Sequence, residues 1–110
     1  MSNDLLKGLF FLLIILAVAL EALADVLFKK WAIVSHSGLF IAGLVIYIFG
    51  TIIWAYSLKY GYLSKAISIF TVLNLVIVSL AGVFLFKEDL TLINKIGIIL
   101  GIASVILVQI

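Results

Sequence analysis

The chain has 110 residues, of which 67% are hydrophobic and 11% are charged, and its mean hydropathy is +1.49. A water-soluble domain of this length could not bury so much apolar surface, because soluble domains are about half apolar and a quarter charged. The net charge is only +2, and the seven cations are lysines scattered along the chain, which excludes a basic nucleic-acid-binding patch. The absence of cysteine excludes a disulfide framework.

Charged residues divide the chain into four apolar stretches of about 20 residues, which as helices match the roughly 30 Å hydrocarbon core of a bilayer. The predicted spans are residues 8–28, 38–58, 66–86 and 92–110. Lipid offers the backbone no hydrogen-bond partners, and these runs lack the alternation of membrane strands, so each span is expected to be a helix. The sequence therefore predicts an all-α membrane protein with a single domain, residues 1–110, of four transmembrane helices.

The first span carries a carboxylate at a depth where a charge is energetically costly. The span is too long for the apolar region of a signal peptide, so we expect it to be retained. Glu21 lies about 4–5 Å past the midpoint of this span. An ionised carboxylate at that depth costs on the order of 2.5–3.5 kcal/mol, and protonation removes much of this cost. Glu21 is therefore a candidate proton carrier, and the alternative is a protonated Glu21 that only hydrogen-bonds a neighbouring helix.

Asp25 follows Glu21 by one helical turn and is expected on the same helix face. Lys29 follows Asp25 at the same spacing, with the acid first, which is the favourable order for an ion pair. Two interpretations of Asp25 stay open. It is either an interfacial ion-pair partner of Lys29 or a second carboxylate in a cation-binding cavity.

The third and fourth spans each carry a feature of helix association. Asn74 lies deep in the third span, where it either joins helices or contacts a substrate. Gly97 and Gly101 form a GxxxG motif in the fourth span, and Ser104 continues the small edge. Small residues let helices approach closely in lipid. Since four helices are too few to enclose a path, this edge predicts a dimer interface.

The lysines give almost no preference for one orientation in the membrane. If the spans alternate in direction, three lysines lie on one side and four on the other, so the positive-inside rule hardly distinguishes the two orientations. A weak bias or a helper protein is one explanation. Insertion in both orientations is the other.

The spacing of the charged residues is similar to that of the small multidrug resistance family, within the drug/metabolite transporter superfamily. In "EALADVLFK", Lys29 follows Glu21 by eight residues, as the lysine at the helix end follows the essential glutamate of that family. The resemblance implies that Tyr47 lines the substrate site and that Phe70 stands for the family's usual tryptophan. It also implies that Gly97 and Ser104 are the small residues at which the fourth helices of two copies meet.

The same resemblance implies an antiparallel, dual-topology homodimer, with a heterodimer of related chains also open. Its two copies of Glu21 would be shared competitively between protons and a cationic substrate. The stretch "SKAISIFTVLN" departs from the family pattern. Ile67 stands where a second tyrosine is usual, and Val72 and Asn74 stand where glycines are usual.

We expect a proton-coupled antiporter in the cell (inner or plasma) membrane that exports small or amphipathic organic cations of quaternary ammonium, guanidinium or polyamine type. The candidate proton- and substrate-binding residues are Glu21, Tyr47, Phe70, Asp25 and Asn74. The alternatives are a lipid or lipid-linked-sugar flippase subunit and a non-transporting membrane helper protein. Residues 58–90 also resemble lipid-linked aminoarabinose flippase subunits. We expect no enzyme, because no nucleophile, base and metal-ligand constellation is present, and no metal, cofactor or nucleic-acid partner.

Overall fold

The computed structural model describes residues 3–110, except for the side chain of Asn3, as four helices joined by short loops. The helices are α1 (Asn3–Val34), α2 (Ser37–Ser57), α3 (Leu63–Leu85) and α4 (Leu92–Gln109). All four are long and apolar enough to cross a membrane, and no strand occurs within residues 3–110. The predicted all-helical fold with four membrane-spanning helices is confirmed.

The first helix extends beyond the predicted span, residues 8–28, at both ends. Residues 29–34, which the charge pattern assigns to a linker, contain neither proline nor glycine and continue the helix. The helix ends at Val34, and the next residue, Ser35, has a left-handed φ of 61° and donates its N–H to the Trp31 carbonyl at 2.6 Å. A left-handed residue with such a backward bond is a common helix terminus. Lysines thus mark the membrane boundary here, whereas local backbone geometry marks the end of the helix.

The connection between α3 and α4 is short and hydrogen-bonded at both ends. Lys87 has a left-handed φ of 54°, and the Glu88 N–H donates to the Gly82 carbonyl at 3.1 Å. At the start of α4, the Thr91 hydroxyl accepts from the Asn94 N–H, and the Asn94 side chain accepts from the Thr91 N–H, both at 3.1 Å. These reciprocal bonds satisfy N–H groups that a helix start leaves unpaired.

The central element is α1, which packs against α2 and α3, while α4 packs chiefly against α3. In its most apolar segment 39% of α1 is buried, compared with 0% of α4. The core combines Phe10, Ile14 and Val18 of α1 with Ala66 of α3. The α1 residues recur every four positions, so one face of the helix forms the core.

The single chain is a flat body that measures 48 × 35 × 17 Å. Its radius of gyration is 15.5 Å, compared with about 13 Å for a compact domain of this size. A body this thin holds cavities between adjacent helices, but it cannot surround a path across a membrane.

Gly61, in the loop between α2 and α3, allows that loop to lie directly against α1. A side chain at this position would overlap the ring of Phe10, which is itself buried in the core. The loop therefore reaches α1 only because Gly61 has no Cβ.

We expect Gly61→Ala to destabilise the protein by about 1–3 kcal/mol, since the added methyl group overpacks the Phe10 ring. The measurement is SDS-titrated unfolding in detergent, followed by circular dichroism. Gly8→Ala is the matched control, because no atom lies within 4 Å of the added methyl group and alanine favours a helix. Equal stability of the two variants would contradict the packing described at Gly61.

Candidate functional site

A cavity of about 270 Å³ lies where α1, α2 and α3 meet. Its lining residues are Glu21 of α1, Tyr47, Thr51 and Trp54 of α2, and Ile67 and Phe70 of α3. Glu21 is the only carboxylate among these residues, and it is 9% exposed. The cavity therefore combines one buried acid with mostly aromatic and apolar walls.

Gly50 of α2 makes room for the Glu21 side chain. A Cβ at position 50 would lie 2.9 Å from Cγ of Glu21 and 3.4 Å from the carbonyl oxygen of Ala17. The contact with Glu21 is closer than a Cβ normally makes, so a larger residue would displace the Glu21 side chain or separate α2 from α1. The absence of a side chain at Gly50 thus permits the close helix approach that buries Glu21.

The hydroxyl of Thr51 contacts two acceptors. Its Oγ1 lies 3.3 Å from Oε1 of Glu21 and 2.9 Å from the backbone carbonyl of Tyr47. A hydroxyl group has one hydrogen, so Thr51 cannot donate fully to both. The shorter contact is with the backbone, which leaves Glu21 with a weak partner inside the chain. Such a carboxylate is available to a proton or to a cation.

Aromatic rings form one wall of the cavity. The centroids of Trp54 and Phe70 are 4.9 Å apart, with their planes tilted by 59°. Tyr47 is 43% exposed in the single chain, so it lies at the border of the cavity. A cation beside Glu21 would meet aromatic faces, which attract positive charge through their quadrupoles.

The structure brings together three of the five predicted binding residues, namely Glu21, Tyr47 and Phe70. Asp25 instead lines a separate cavity of about 170 Å³ between α1 and α3. Asn74 follows Phe70 by one turn of α3, and its Oδ1 is buried without a hydrogen-bond partner among the described residues. Neither of these two side chains lines the Glu21 cavity.

Sequence reasoning misses Thr51 and Trp54. Both follow Tyr47 at helical spacing, four and seven residues later, so all three lie on one face of α2. That periodicity is the signal that could have identified them. Ile67 also lines the cavity, at the position where the resemblance to small multidrug resistance proteins leads one to expect a tyrosine.

The cavity at Asp25 ends at an ion pair between α1 and the α3–α4 loop. Nζ of Lys29 lies 3.7 Å from Oε2 of Glu88, and the two side chains are 48% and 50% exposed. The Glu88 carboxylate lies against Gly82, which lacks a side chain that would occupy this space. Within residues 3–110, the ammonium of Lys29 forms its ion pair with Glu88 and not with Asp25.

The small residues of α4 are only partly covered by the rest of the chain. A Cβ added at Gly97 would have no atom from another part of the described chain within 4 Å, whereas a Cβ added at Gly101 would lie 3.3 Å from Cδ2 of Leu75 on α3. Gly97 and Ser104 are both exposed. The edge formed by Gly97 and Ser104 is therefore open on the single chain.

Comparison with protein families matches residues 4–110 to the EamA-like transporter family. The match covers almost the whole chain, so this protein belongs to the EamA-like transporter family, within the drug/metabolite transporter superfamily. No curated protein and no solved structure gives a match. The family and the four apolar helices together identify a multi-pass membrane protein.

We expect the Lys29–Glu88 pair to contribute only about 0.2–1 kcal/mol, as half-exposed ion pairs do. A double-mutant cycle with Lys29→Gln and Glu88→Gln, measured by SDS-titrated unfolding, should give a coupling energy in this range. The control cycle combines the same Lys29→Gln change with Asp25→Asn and should give a smaller coupling energy. A larger value in the control cycle would show that Lys29 pairs with Asp25.

Proposed function

We propose that this member of the EamA-like transporter family is a proton-coupled antiporter that exports small or amphipathic organic cations. The observation that carries the proposal is the burial of the Glu21 carboxylate in a cavity with aromatic walls. An ionised carboxylate in such surroundings is costly unless it is neutralised. A proton and a cationic substrate each neutralise it, and each removes the reason for the other to bind.

Mutually exclusive occupancy of Glu21 is what couples the two gradients. A proton that enters from one side displaces the cation, and a cation that enters from the other side displaces the proton. The weak contact with Thr51, 3.3 Å from Glu21 Oε1, supports this exchange, because no strong internal partner has to be broken first. A strong fixed partner would slow both steps.

The walls of the cavity favour a cation with an apolar or delocalised surface. Contact with Tyr47, Trp54 and Phe70 would contribute about 0.5–2 kcal/mol for each well-placed aromatic face, depending on desolvation. A quaternary ammonium or guanidinium group fits this description, since both spread their charge over weakly hydrated surfaces. A polyamine gains no second carboxylate beside Glu21, because Asp25 lines a separate cavity.

The transporting unit in this proposal is an antiparallel homodimer with dual topology, although a related chain in an inverted orientation would serve equally. The thinness of the single chain, 17 Å in its shortest dimension, supports a second copy, because one chain does not surround a path. Two identical chains in opposite orientations present the same site to each side in turn by exchanging shapes, as inverted repeats do in larger transporters. The open edge at Gly97 and Ser104 is the proposed contact.

A lipid or lipid-linked-sugar flippase subunit is the second candidate function. The observation that favours it is Ile67, which gives the cavity wall an aliphatic side chain where a cation would gain from a further aromatic ring. A flippase of this kind would not depend on the charge of Glu21. The two candidates therefore differ in their response to a single substitution.

We expect Glu21→Gln to abolish cation transport, because glutamine neither carries a proton nor pairs with a cation. The measurement is transport current in proteoliposomes under a proton gradient, with quaternary ammonium, guanidinium and polyamine substrates supplied separately. Glu88→Gln is the matched control, since it removes a carboxylate outside the Glu21 cavity, and it should retain the wild-type current. Asp25→Asn removes a carboxylate of the separate cavity and should also leave the current unchanged.

Undiminished proton-driven cation transport by the Glu21→Gln variant would contradict the proposed coupling. Retained lipid or lipid-linked-sugar translocation by that variant, with no cation current in the wild type, would establish the flippase.

We expect Gly97→Leu to lower the fraction of dimer, because a large side chain on the open edge of α4 keeps two helices apart. Light scattering of the purified protein in mild detergent, across a dilution series, measures this fraction. Gly8→Leu makes the same change at another helical glycine with no atom within 4 Å, and it should leave the dimer intact. If both variants dimerise like the wild type, the interface lies elsewhere.

A further inference from the structure

A larger cavity of about 580 Å³ lies at the end of the bundle opposite the Lys29–Glu88 pair. Its lining includes Lys7 of α1, Lys65 of α3, and Tyr60 and Tyr62 of the α2–α3 loop. Lys7 and Lys65 each stand immediately before a predicted membrane span, residues 8–28 and 66–86. The cavity is therefore at the level where phospholipid headgroups meet the hydrocarbon core.

The charge of this cavity is uncompensated within the described chain. No carboxylate is among its lining residues, and neither Lys7 nor Lys65 forms an ion pair within residues 3–110. Asp4 lies one turn before Lys7, but it neither lines the cavity nor pairs with that lysine. At the other end of the bundle, by contrast, Lys29 is paired with Glu88. Two unpaired ammonium groups that face one cavity are complementary to an anion.

Two contacts fix the framework of this cavity. The side-chain amide of Gln109, at the end of α4, donates to the Lys65 carbonyl and to the Ser68 hydroxyl, both at 2.9 Å. From the other side, Gly61 lies against the buried ring of Phe10. Three helices and a loop thus form the cavity, and these contacts fix the backbone at Lys65 and the position of the loop.

The cavity also has an apolar wall that a small soluble anion would leave uncovered. Phe11 and Ile69 line it, and both belong to the predicted membrane spans. The tyrosine hydroxyls and the lysine ammonium groups are suited to the headgroup layer, where amphipathic side chains place their polar ends. The arrangement has a basic, polar mouth and an apolar interior.

We propose that this cavity binds one anionic phospholipid of the surrounding bilayer. The phosphate lies between Lys7 and Lys65, where basic pockets between membrane helices hold acidic headgroups, and an acyl chain lies along Phe11 and Ile69. This site is separate from the Glu21 cavity and holds a resident lipid. Binding of this lipid does not depend on which substrate the transporter carries.

The test is native mass spectrometry of the purified protein in neutral detergent, titrated with dioleoyl phosphatidylglycerol or dioleoyl phosphatidylcholine. Wild-type protein should retain phosphatidylglycerol in preference to phosphatidylcholine. The double variant Lys7→Gln/Lys65→Gln should bind phosphatidylglycerol about 30-fold more weakly, which corresponds to about 1 kcal/mol for each lysine.

Lys30→Gln/Lys87→Gln is the matched control, because it removes the same charge from exposed lysines at the opposite end of the bundle that do not line the cavity. Its affinity should change by less than about twofold, since distant exposed charges act only through a screened field. Lys7→Arg/Lys65→Arg keeps both charges and should bind the lipid. Circular dichroism of every variant shows whether the helices have formed.

An equal loss of affinity in the control pair would overturn the proposal, because binding would then reflect net charge alone. Equal retention of the two lipids by the wild type would also overturn it, and this measurement needs no variant. Inorganic phosphate is added as a competitor at the same concentration as the lipid. Full displacement by phosphate would overturn it too, since it would show a simple anion site that does not use the apolar wall.

Discussion

The close approach of α1 and α2 at Gly50 is the contact on which the candidate site depends. A Cβ at this position would lie 2.9 Å from Cγ of Glu21 and 3.3 Å from Cβ of Leu20, so the Glu21 side chain or the two helices would have to shift. The proximity of the two helices buries the Glu21 side chain and places the Thr51 hydroxyl beside it. The packing of two helices thus imposes the cost of burying a carboxylate. This cost is the reason why the Glu21 carboxylate favours neutralisation in its cavity.

Burial is concentrated on α1, and this distribution is reasonable only in lipid. In water, the exposed apolar faces of α2, α3 and α4 would drive collapse or aggregation, whereas lipid tails solvate them without penalty. Hydrophobicity alone therefore gives the single chain no reason to dimerise. The support for the proposed dimer is instead the shape of the chain, which is 17 Å thin, and the 43% exposure of Tyr47 at the border of the Glu21 cavity. A second chain would complete a cavity that one chain bounds only in part.

Much of the fold is readable from the sequence, because charged residues are expensive in lipid and mark the membrane boundaries. The energetic cost of a charge in lipid also identifies Glu21 as a candidate functional residue, because this carboxylate lies inside a membrane span. The extension of α1 to Val34 is not readable in this way, since a charge limits the membrane crossing without ending a helix. The helical spacing of Thr51 and Trp54 from Tyr47 predicts that these residues share one face of α2. The pairing of Lys29 with Glu88 is not predictable from the sequence, because it depends on how a distant loop folds back on α1.

The lysines of the chain are placed where none of them neutralises Glu21. Lys29 is nearest along α1, two turns away, and its ammonium is held by Glu88. Lys7 and Lys65 face a different cavity at the other end of the bundle. Because an internal counter-ion would occupy the carboxylate permanently, its absence from the Glu21 cavity is a condition for the proposed exchange between a proton and an external cation. The ion pair with Glu88 engages the lysine one helical turn from Asp25, which leaves Asp25 without an ion-pair partner among the described residues.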